Sequence, residues 1–333
     1  MRVTLKEVAA LAGVSYQVVS AVLGKCSYAR ASEATRKKIF DAADKLGYVP
    51  NISARILQGR PSDMIGVLID PLAPQRTFQI LFELEKAAAE RNCRLLISEA
   101  HNNPGRLKTA CRKLQQYGVH GILALAHTYP GIGSLIDEPD EDIALVPVFE
   151  APPGNYSAVV NDTASGIASA AQHLLDSGYQ KVVMVTSESL GYFSSLQRIE
   201  GFRRIIPDNR IFCCNMENPE QTPADVRRLI PRLIAEGADG IVCYNDHLAA
   251  LVLRELRRSS IRIPEDMGIT GYDDSSFSSL LDPPLTSVAP DYAAVANTAF
   301  KLLEERIGGS KENVYAAIPP RLEIRESSLK CAR

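Results

Sequence analysis

The chain has 333 residues, 46% hydrophobic and 23% charged, with a formal net charge of −2. That composition excludes a disordered chain, and the length admits two or three domains with substantial cores. No apolar run approaches the ~20 residues needed to span a bilayer, and the opening MRVTLKEV lacks the apolar core of a secretory signal.

The first predicted element is a helix from Thr4. Thr4 and Glu7 form a T-x-x-E capping box, which satisfies free N–H groups at the start of a helix. Leu5, Val8, Ala9 and Ala12 then share one face at i, i+3, i+4, i+7 spacing. Gly13 suits the positive φ of a C′ position, and Ser15 is a good N-cap for a second helix. In that second helix Val18, Val19 and Val22 point inward, Val18 near the edge, while Tyr16, Gln17 and Ala21 face out. Two such helices around a glycine turn are a way of placing side chains in the major groove of DNA. An ordinary αα-hairpin has the same inward stripe. Charge separates the two readings. Residues 1–60 carry ten Lys and Arg against four Asp and Glu, a net +6 that leaves −8 on the remainder. A basic head on an acidic body fits a polyanion contact confined to the head.

A third helix runs from a Ser32 cap to Leu46, with Gly47 as its C′ residue and Ile39, Ala42, Ala43 and Leu46 as its buried stripe. Pro50 breaks it. Asn51 to Gln58 then read as a further helix of about two turns, too short to be stable without a partner.

From residue 64 the texture changes. MIGVLID is a buried-strand pattern, followed by a helix near Phe78–Arg91 and the strand CRLLISEA. Helices near 105–117, 164–177, 196–205, 223–236 and 246–258 then alternate with GILALA, LVPVF, KVVMVT, GIVCY and MGITGYD. Strand–helix alternation with apolar strands predicts an α/β fold with parallel sheets. Ligands in such sheets lie beyond the carboxyl ends of the strands. Neither G-x-G-x-x-G after a strand nor G-x-x-x-x-G-K-[ST] occurs, so no nucleotide cofactor is expected. The seven cysteines show no C-x-x-C spacing, which leaves zinc and a disulfide framework unsupported and points to a reducing cytoplasm. Cys213 and Cys214 read as neighbours on a strand facing opposite ways.

At this point the chain resembles the lactose-repressor/galactose-repressor (LacI/GalR) family of bacterial transcription regulators. The segment from Val8 to Leu23 is close to that family's head signature. S-x-x-T-R recurs at Ser32–Arg36 and LGYVPN at Leu46–Asn51. HLLDSGYQKVVMV, RIEGF, NDHLA, GYDD, PPLTSV and LEIRESS follow in the family's order. The resemblance implies a helix-turn-helix headpiece (1–50), a hinge helix (51–60) and a two-subdomain, periplasmic-binding-protein-like body (61–333). Within the body it implies an N-subdomain of about 61–160 and 290–318 and a C-subdomain of about 161–289 and 319–333, with crossings near Val160–Asp162, Ser287–Asp291 and Ile318–Pro320. It also implies a homodimer on a pseudo-palindromic double-stranded operator, and a small-molecule effector between the subdomains.

At the DNA end, Gln17 suits an adenine edge and Tyr16 offers a hydroxyl with apolar contact. Thr4 belongs to the DNA-binding set, and Ser15, Ser20, Lys25, Tyr28 and Arg36 suit phosphates, which fix register. Ala21 stands where many members carry Arg, Val18 where Thr is frequent and Gly24 where Asn is common, so no known operator sequence transfers. By resemblance, paired hinge helices with Asn51, Ala54 and Arg55 lie in the minor groove, and Leu57 wedges a base step. Burial of Leu57 against the body is the alternative.

At the effector end, Asp246 follows the strand GIVCYN, where its carboxylate could accept sugar hydroxyls or simply cap a helix. Arg198 of R-x-x-G-F offers a fork to hydroxyls or a carboxylate, or else forms a surface ion pair. Asp70, Arg76 and Phe78 follow the first body strand. Met216 stands where several members stack an aromatic ring, and the chain has no tryptophan. The effector expected is a sugar or sugar derivative. A solute-binding protein of the same fold would lack the basic head. An enzyme would need a nucleophile–base–orienter set, which is not visible, and the neighbours Asp273 and Asp274 would not aim at one substrate. The residues after Ser328 carry no leucine heptads, so a dimer rather than a coiled-coil tetramer is expected.

Overall fold

The computed structural model describes residues 3–24, 31–49, 62–69, 76–99, 104–125, 143–188, 193–207, 210–216, 218 and 220–330. The chain divides into two compact units, Met1–Ser62 and Asp63–Arg333.

In the first unit, α1 (Leu5–Ala12), α2 (Tyr16–Leu23) and α3 (Glu33–Leu46) close on Val8, Ala9, Val19, Val22, Ile39, Ala42 and Ala43. Both halves of the Thr4 capping box form: Thr4 Oγ1 accepts from Glu7 N at 3.4 Å, and Thr4 N donates to Glu7 Oε2 at 2.7 Å. Gly13 ends α1 at φ 67° and Gly47 ends α3 at φ 65°, left-handed positions that suit glycine. Ser15 and Ser32 cap α2 and α3 through their hydroxyls. Local sequence chemistry therefore sets where each helix starts and stops.

The second unit is built on two six-stranded sheets with helices on both faces. The first sheet, all parallel, has the order β11-β5-β4-β3-β1-β2. Its strands are β1 (Met64–Ile69), β2 (Arg94–Glu99), β3 (Gly121–Ala124), β4 (Ala144–Phe149), β5 (Ala158–Asn161) and β11 (Tyr315–Ile318). Helices α4 (Arg76–Glu90), α5 (Pro104–Gln116) and α10 (Tyr292–Ile307) cover it. We refer to this layer as the N-subdomain. The second sheet has the order β12-β10-β9-β8-β6-β7, with only β12 antiparallel to its neighbour among these pairings. Its strands are β6 (Val182–Ser187), β7 (Ile211–Cys214), β8 (Gly240–Cys243), β9 (Gly268–Tyr272), β10 (Thr286–Ala289) and β12 (Arg321–Glu323). Helices α6 (Thr163–Asp176), α7 (Phe193–Ile205), α8 (Thr222–Ala235) and α9 (Asp246–Arg258) cover this C-subdomain.

Each sheet is buried on both faces, which is why its strands read as near-continuous apolar runs. Val67, Leu84, Val146 and Phe300 fill one side of the N-subdomain sheet, and Leu68, Leu114, Ile122 and Ala158 the other. Cys213 is exposed and its neighbour Cys214 buried on β7. The chain passes between subdomains at β5–α6, β10–α10 and β11–β12. The first and third passages touch, Asp162 N donating to Ile318 O at 2.8 Å. Among the described residues no single helix is long and apolar enough to cross a membrane.

Candidate functional site

In the three-helix unit, α2 offers the reading face. Val19 and Val22 are buried beneath it, Val18 is half-buried, and Tyr16 stands 44% exposed beside exposed Gln17. Ser20 and Ala21 are half-buried on the same short helix. Two positions of the DNA-binding set carry local duties as well. The Ser15 hydroxyl accepts from Val18 N at 3.4 Å, and the Thr4 hydroxyl donates to Glu7 Oε2 at 2.8 Å. Lys25, Tyr28, Asn51, Ala54, Arg55 and Leu57 lie outside the described residues.

In the body, the carboxyl ends of the parallel strands converge with several buried polar groups. Arg198, on α7, is 1% exposed. Its guanidinium lies 4.2 Å from the ring centre of Tyr244 and 4.8 Å from that of Tyr272. Nε donates to Tyr244 O at 3.0 Å and a terminal nitrogen to Ser194 O at 3.2 Å. A surface ion pair is thus not its role. The cation is sandwiched by aromatic faces beyond the ends of β8 and β9, where a fixed fork suits a ligand oxygen.

Asp246 requires a correction. Asn245, not Asp246, caps α9, its side chain accepting from Leu248 N at 2.9 Å. Asp246 is fully buried and points into the C-subdomain. Its Oδ2 accepts from Ser275 N at 2.6 Å and Ser278 Oγ at 2.7 Å, and its Oδ1 accepts from Ser287 Oγ at 2.6 Å. A Cβ on Gly271 would stand 2.1 Å from Oδ1, so β9 runs directly over the carboxylate. The group clamps the loop after β9 to α9 and β10. Burial raises its pKa above its ordinary value, outweighing the serine donors that pull it down.

Other positions read from the sequence scatter. Met216 is half-buried and packs against the C-subdomain core. Phe78 stands 69% exposed on α4, one turn before the 66% exposed Phe82. Arg76 opens α4, its side chain not among those described, and Asp70 lies outside the described residues. Asp274 pairs with Arg325 at 2.7 Å.

Two further acids sit at strand ends: Glu150, which the sequence did not single out, and Asp273, which it offered only as half of a catalytic pair. Glu150 follows β4 and is 3% exposed, directly after Phe149, whose φ of 80° is unusual for a residue with a side chain. Phe149 stacks on Tyr292 with centroids 5.4 Å apart. Asp273 follows β9, 6% exposed at φ 96°. Strained non-glycine positions at strand ends gather at ligand sites and switch regions. The only signal in the sequence is their place just past an apolar strand. Among the described residues no group of His, Cys, Asp and Glu is placed to hold a metal ion.

Two family models match the chain: the lacI family of bacterial regulatory proteins over residues 4–51, and the periplasmic-binding-protein-like domain over residues 171–328. A relative, the HTH-type transcriptional repressor PurR of Haemophilus influenzae, is 27% identical over 97% of this chain and 98% of its own length. The transcriptional regulator CelR, solved with cellobiose, superposes with a TM-score of 0.69 at 26% identity, covering 98% of this chain and 100% of that one. The lac repressor dimer, solved with operator and the anti-inducer ONPF, shares the fold at a TM-score of 0.83 and 24% identity, with 99% of this chain and 100% of that one covered.

Proposed function

Because the chain belongs to the LacI family of bacterial regulatory proteins, we propose that it is a repressor whose hold on operator DNA is set by a small-molecule effector. The observation that carries this reading is α2, which exposes Tyr16 and Gln17 over buried Val19 and Val22 on a compact unit of its own. The protein acts as a cytoplasmic homodimer without an enzymatic step. The exposed aromatic ring of Phe82 on α4 suits coverage by a second copy.

The effector is a sugar or sugar derivative held between the subdomains. Arg198 on α7 and Asp273 and Glu150 just past strand ends are its contacts in this reading, with Asp70, Arg76 and Phe78, from the sequence after the first body strand, as further candidates. Two carboxylates and one guanidinium match a ligand rich in hydroxyl groups, which donate to the first and accept from the second. Effector binding changes the angle between the subdomains and so the operator affinity. Such coupling is typically about 1–3 kcal/mol and is reciprocal.

The test is selection of duplexes from a randomised DNA pool by the full-length chain. The wild type is expected to enrich a pseudo-palindrome. Tyr16→Ala and Gln17→Ala should each weaken binding to it about 10-fold or more, the worth of one good base contact, with the melting temperature unchanged. Failure to enrich any sequence overturns the reading. For the hinge segment, Leu57→Ala should weaken operator binding in fluorescence anisotropy while leaving thermal shifts by sugars intact, because an apolar wedge acts only on DNA. Unchanged operator affinity removes the wedge. A thermal-shift screen of sugars and sugar acids then identifies the effector class, since a ligand of the native state raises the melting temperature.

A further inference from the structure

The cleft and the three chain passages meet at one side chain. Tyr272 ends β9 in the C-subdomain sheet and is fully buried. Its hydroxyl takes a hydrogen bond from Asn161 Nδ2 at 2.5 Å. Asn161 is the last residue of β5 in the N-subdomain sheet, so this bond joins side chains of the two sheets at the first passage. Burial pushes the Tyr272 phenol up to about 12, which keeps the hydroxyl neutral at any physiological pH.

The other two passages press on the same spot. A Cβ on Gly166, in the first turns of α6, would stand 3.0 Å from Tyr272 Cε2, 2.8 Å from Val288 Cγ1 and 2.8 Å from Pro320 Cγ. Val288 lies on β10, which leads into the second passage, and Pro320 lies within the third. On the face of the Tyr272 ring sits Arg198, the cation proposed to face the effector.

One polar atom in this cluster is unsettled. Asn161 Oδ1 is buried and has no hydrogen-bond partner among the described residues. A buried amide oxygen left without a donor is destabilising. Relief of that penalty would require the amide to turn. Turning it breaks the bond to Tyr272, and rotation of one sheet against the other is a motion that does so.

We propose that Tyr272 is a positioning residue that ties Arg198 in the cleft to the three passages, its hydroxyl bond to Asn161 holding the subdomains at the angle that binds operator. The proposal rests on the repressor reading above. It differs from a packing role in a testable way, because Tyr179 provides a matched control. Tyr179 is 1% exposed in the same subdomain and donates its hydroxyl to Pro264 O at 2.7 Å. It packs on Gly268, at the opposite end of β9 from Tyr272.

The experiment compares full-length wild type, Tyr272→Phe and Tyr179→Phe, with no small molecule added. Operator affinity is read by anisotropy on a duplex selected by the wild type, and amide exchange by mass spectrometry. Tyr272→Phe is expected to weaken operator binding about five-fold or more, the lower end of ordinary coupling energies. It should also speed exchange selectively at residues 158–162, 286–291 and 318–321 as local openings become easier. Tyr179→Phe should do neither. Asn161→Leu, which breaks the same bond from the other side, should repeat the Tyr272→Phe result and decides the matter if Tyr272→Phe does not fold. The proposal is overturned if the two tyrosine variants behave alike, or if Tyr272→Phe matches the wild type in both readouts. If the wild type selects no DNA, the repressor reading fails, and the exchange comparison still judges Tyr272.

Discussion

Asp246→Ala lowers the melting temperature by roughly 4–5 °C, as measured by differential scanning calorimetry on the full chain, an expectation that follows from about 3 kcal/mol of lost stability at this chain length. The three donors that meet the carboxylate explain the size. Ser275 N is a backbone group with no freedom to turn elsewhere, and Ser278 Oγ and Ser287 Oγ are wholly buried. Ser287 Oγ already accepts from Asp274 N at 3.0 Å, so it cannot simply reverse its role. Against these losses stands relief from burying a charge, which keeps the net below the sum of three orphaned donors. A residue whose only work was to hold an effector would leave the melting temperature untouched on truncation. The two readings of Asp246 therefore separate in one scan.

The pH dependence has a definite sign. Burial raises the folded-state pKa of Asp246 above its ordinary value of 3.8. An acid raised in this way binds its proton more tightly in the folded chain than in the unfolded one. Its stabilising share is fully present below pH 3.8 and declines as pH rises from there through the raised folded value. Urea titrations of wild type and Asp246→Asn across that range should therefore show the wild-type advantage shrinking, then levelling. An advantage that grows with pH would contradict the burial argument.

Asp246 also shows where a sequence is legible and where it is not. The three helices of the first unit could be read because their signals are local: Thr4 with Glu7, Ser15 with Val18, Gly13 and Gly47 at left-handed turns. The alternation of body elements was legible for the same reason, each strand being an apolar run wide enough to see. Asp246 was not, because a carboxylate just after a strand looks alike whether it faces a cleft or the core. What decides its direction lies 29 to 41 residues further on, in Ser275, Ser278 and Ser287. Glu150 gave no signal beyond its place just past an apolar strand. Phe149 at φ 80° carries no glycine to mark the strained turn before Glu150. Strands β10, β11 and β12 are three or four residues long, too short for any periodicity, and their partners come from remote parts of the chain.

Gly201 is a position where the packing of the fold meets backbone rather than a side chain. A Cβ there would stand 2.2 Å from the backbone oxygen of Ala164 and 2.9 Å from its Cα and carbonyl carbon. Helices α6 and α7 therefore meet backbone to backbone, which explains the glycine of RIEGF in physical terms. A flexible side-chain tip could swing aside, but a helical carbonyl in the first turn of α6 cannot, so the helices themselves must part. Overpacking of this kind costs about 1–3 kcal/mol and sometimes more. Gly201→Ala is expected at or beyond the upper end, with a fall in melting temperature comparable to that of Asp246→Ala. The consequences continue past stability, because α7 also carries Arg198 one turn earlier, seated at 3.0 Å from Tyr244 O. Ala164 in turn stands three residues after Asn161, at the first passage between the subdomains. A wedge at residue 201 thus pushes on the cleft cation and on that passage together. Operator affinity of the folded fraction should fall along with stability. An alanine variant that melts like the wild type, or that melts early yet binds operator unchanged, would show that α6 and α7 have slack that this packing denies.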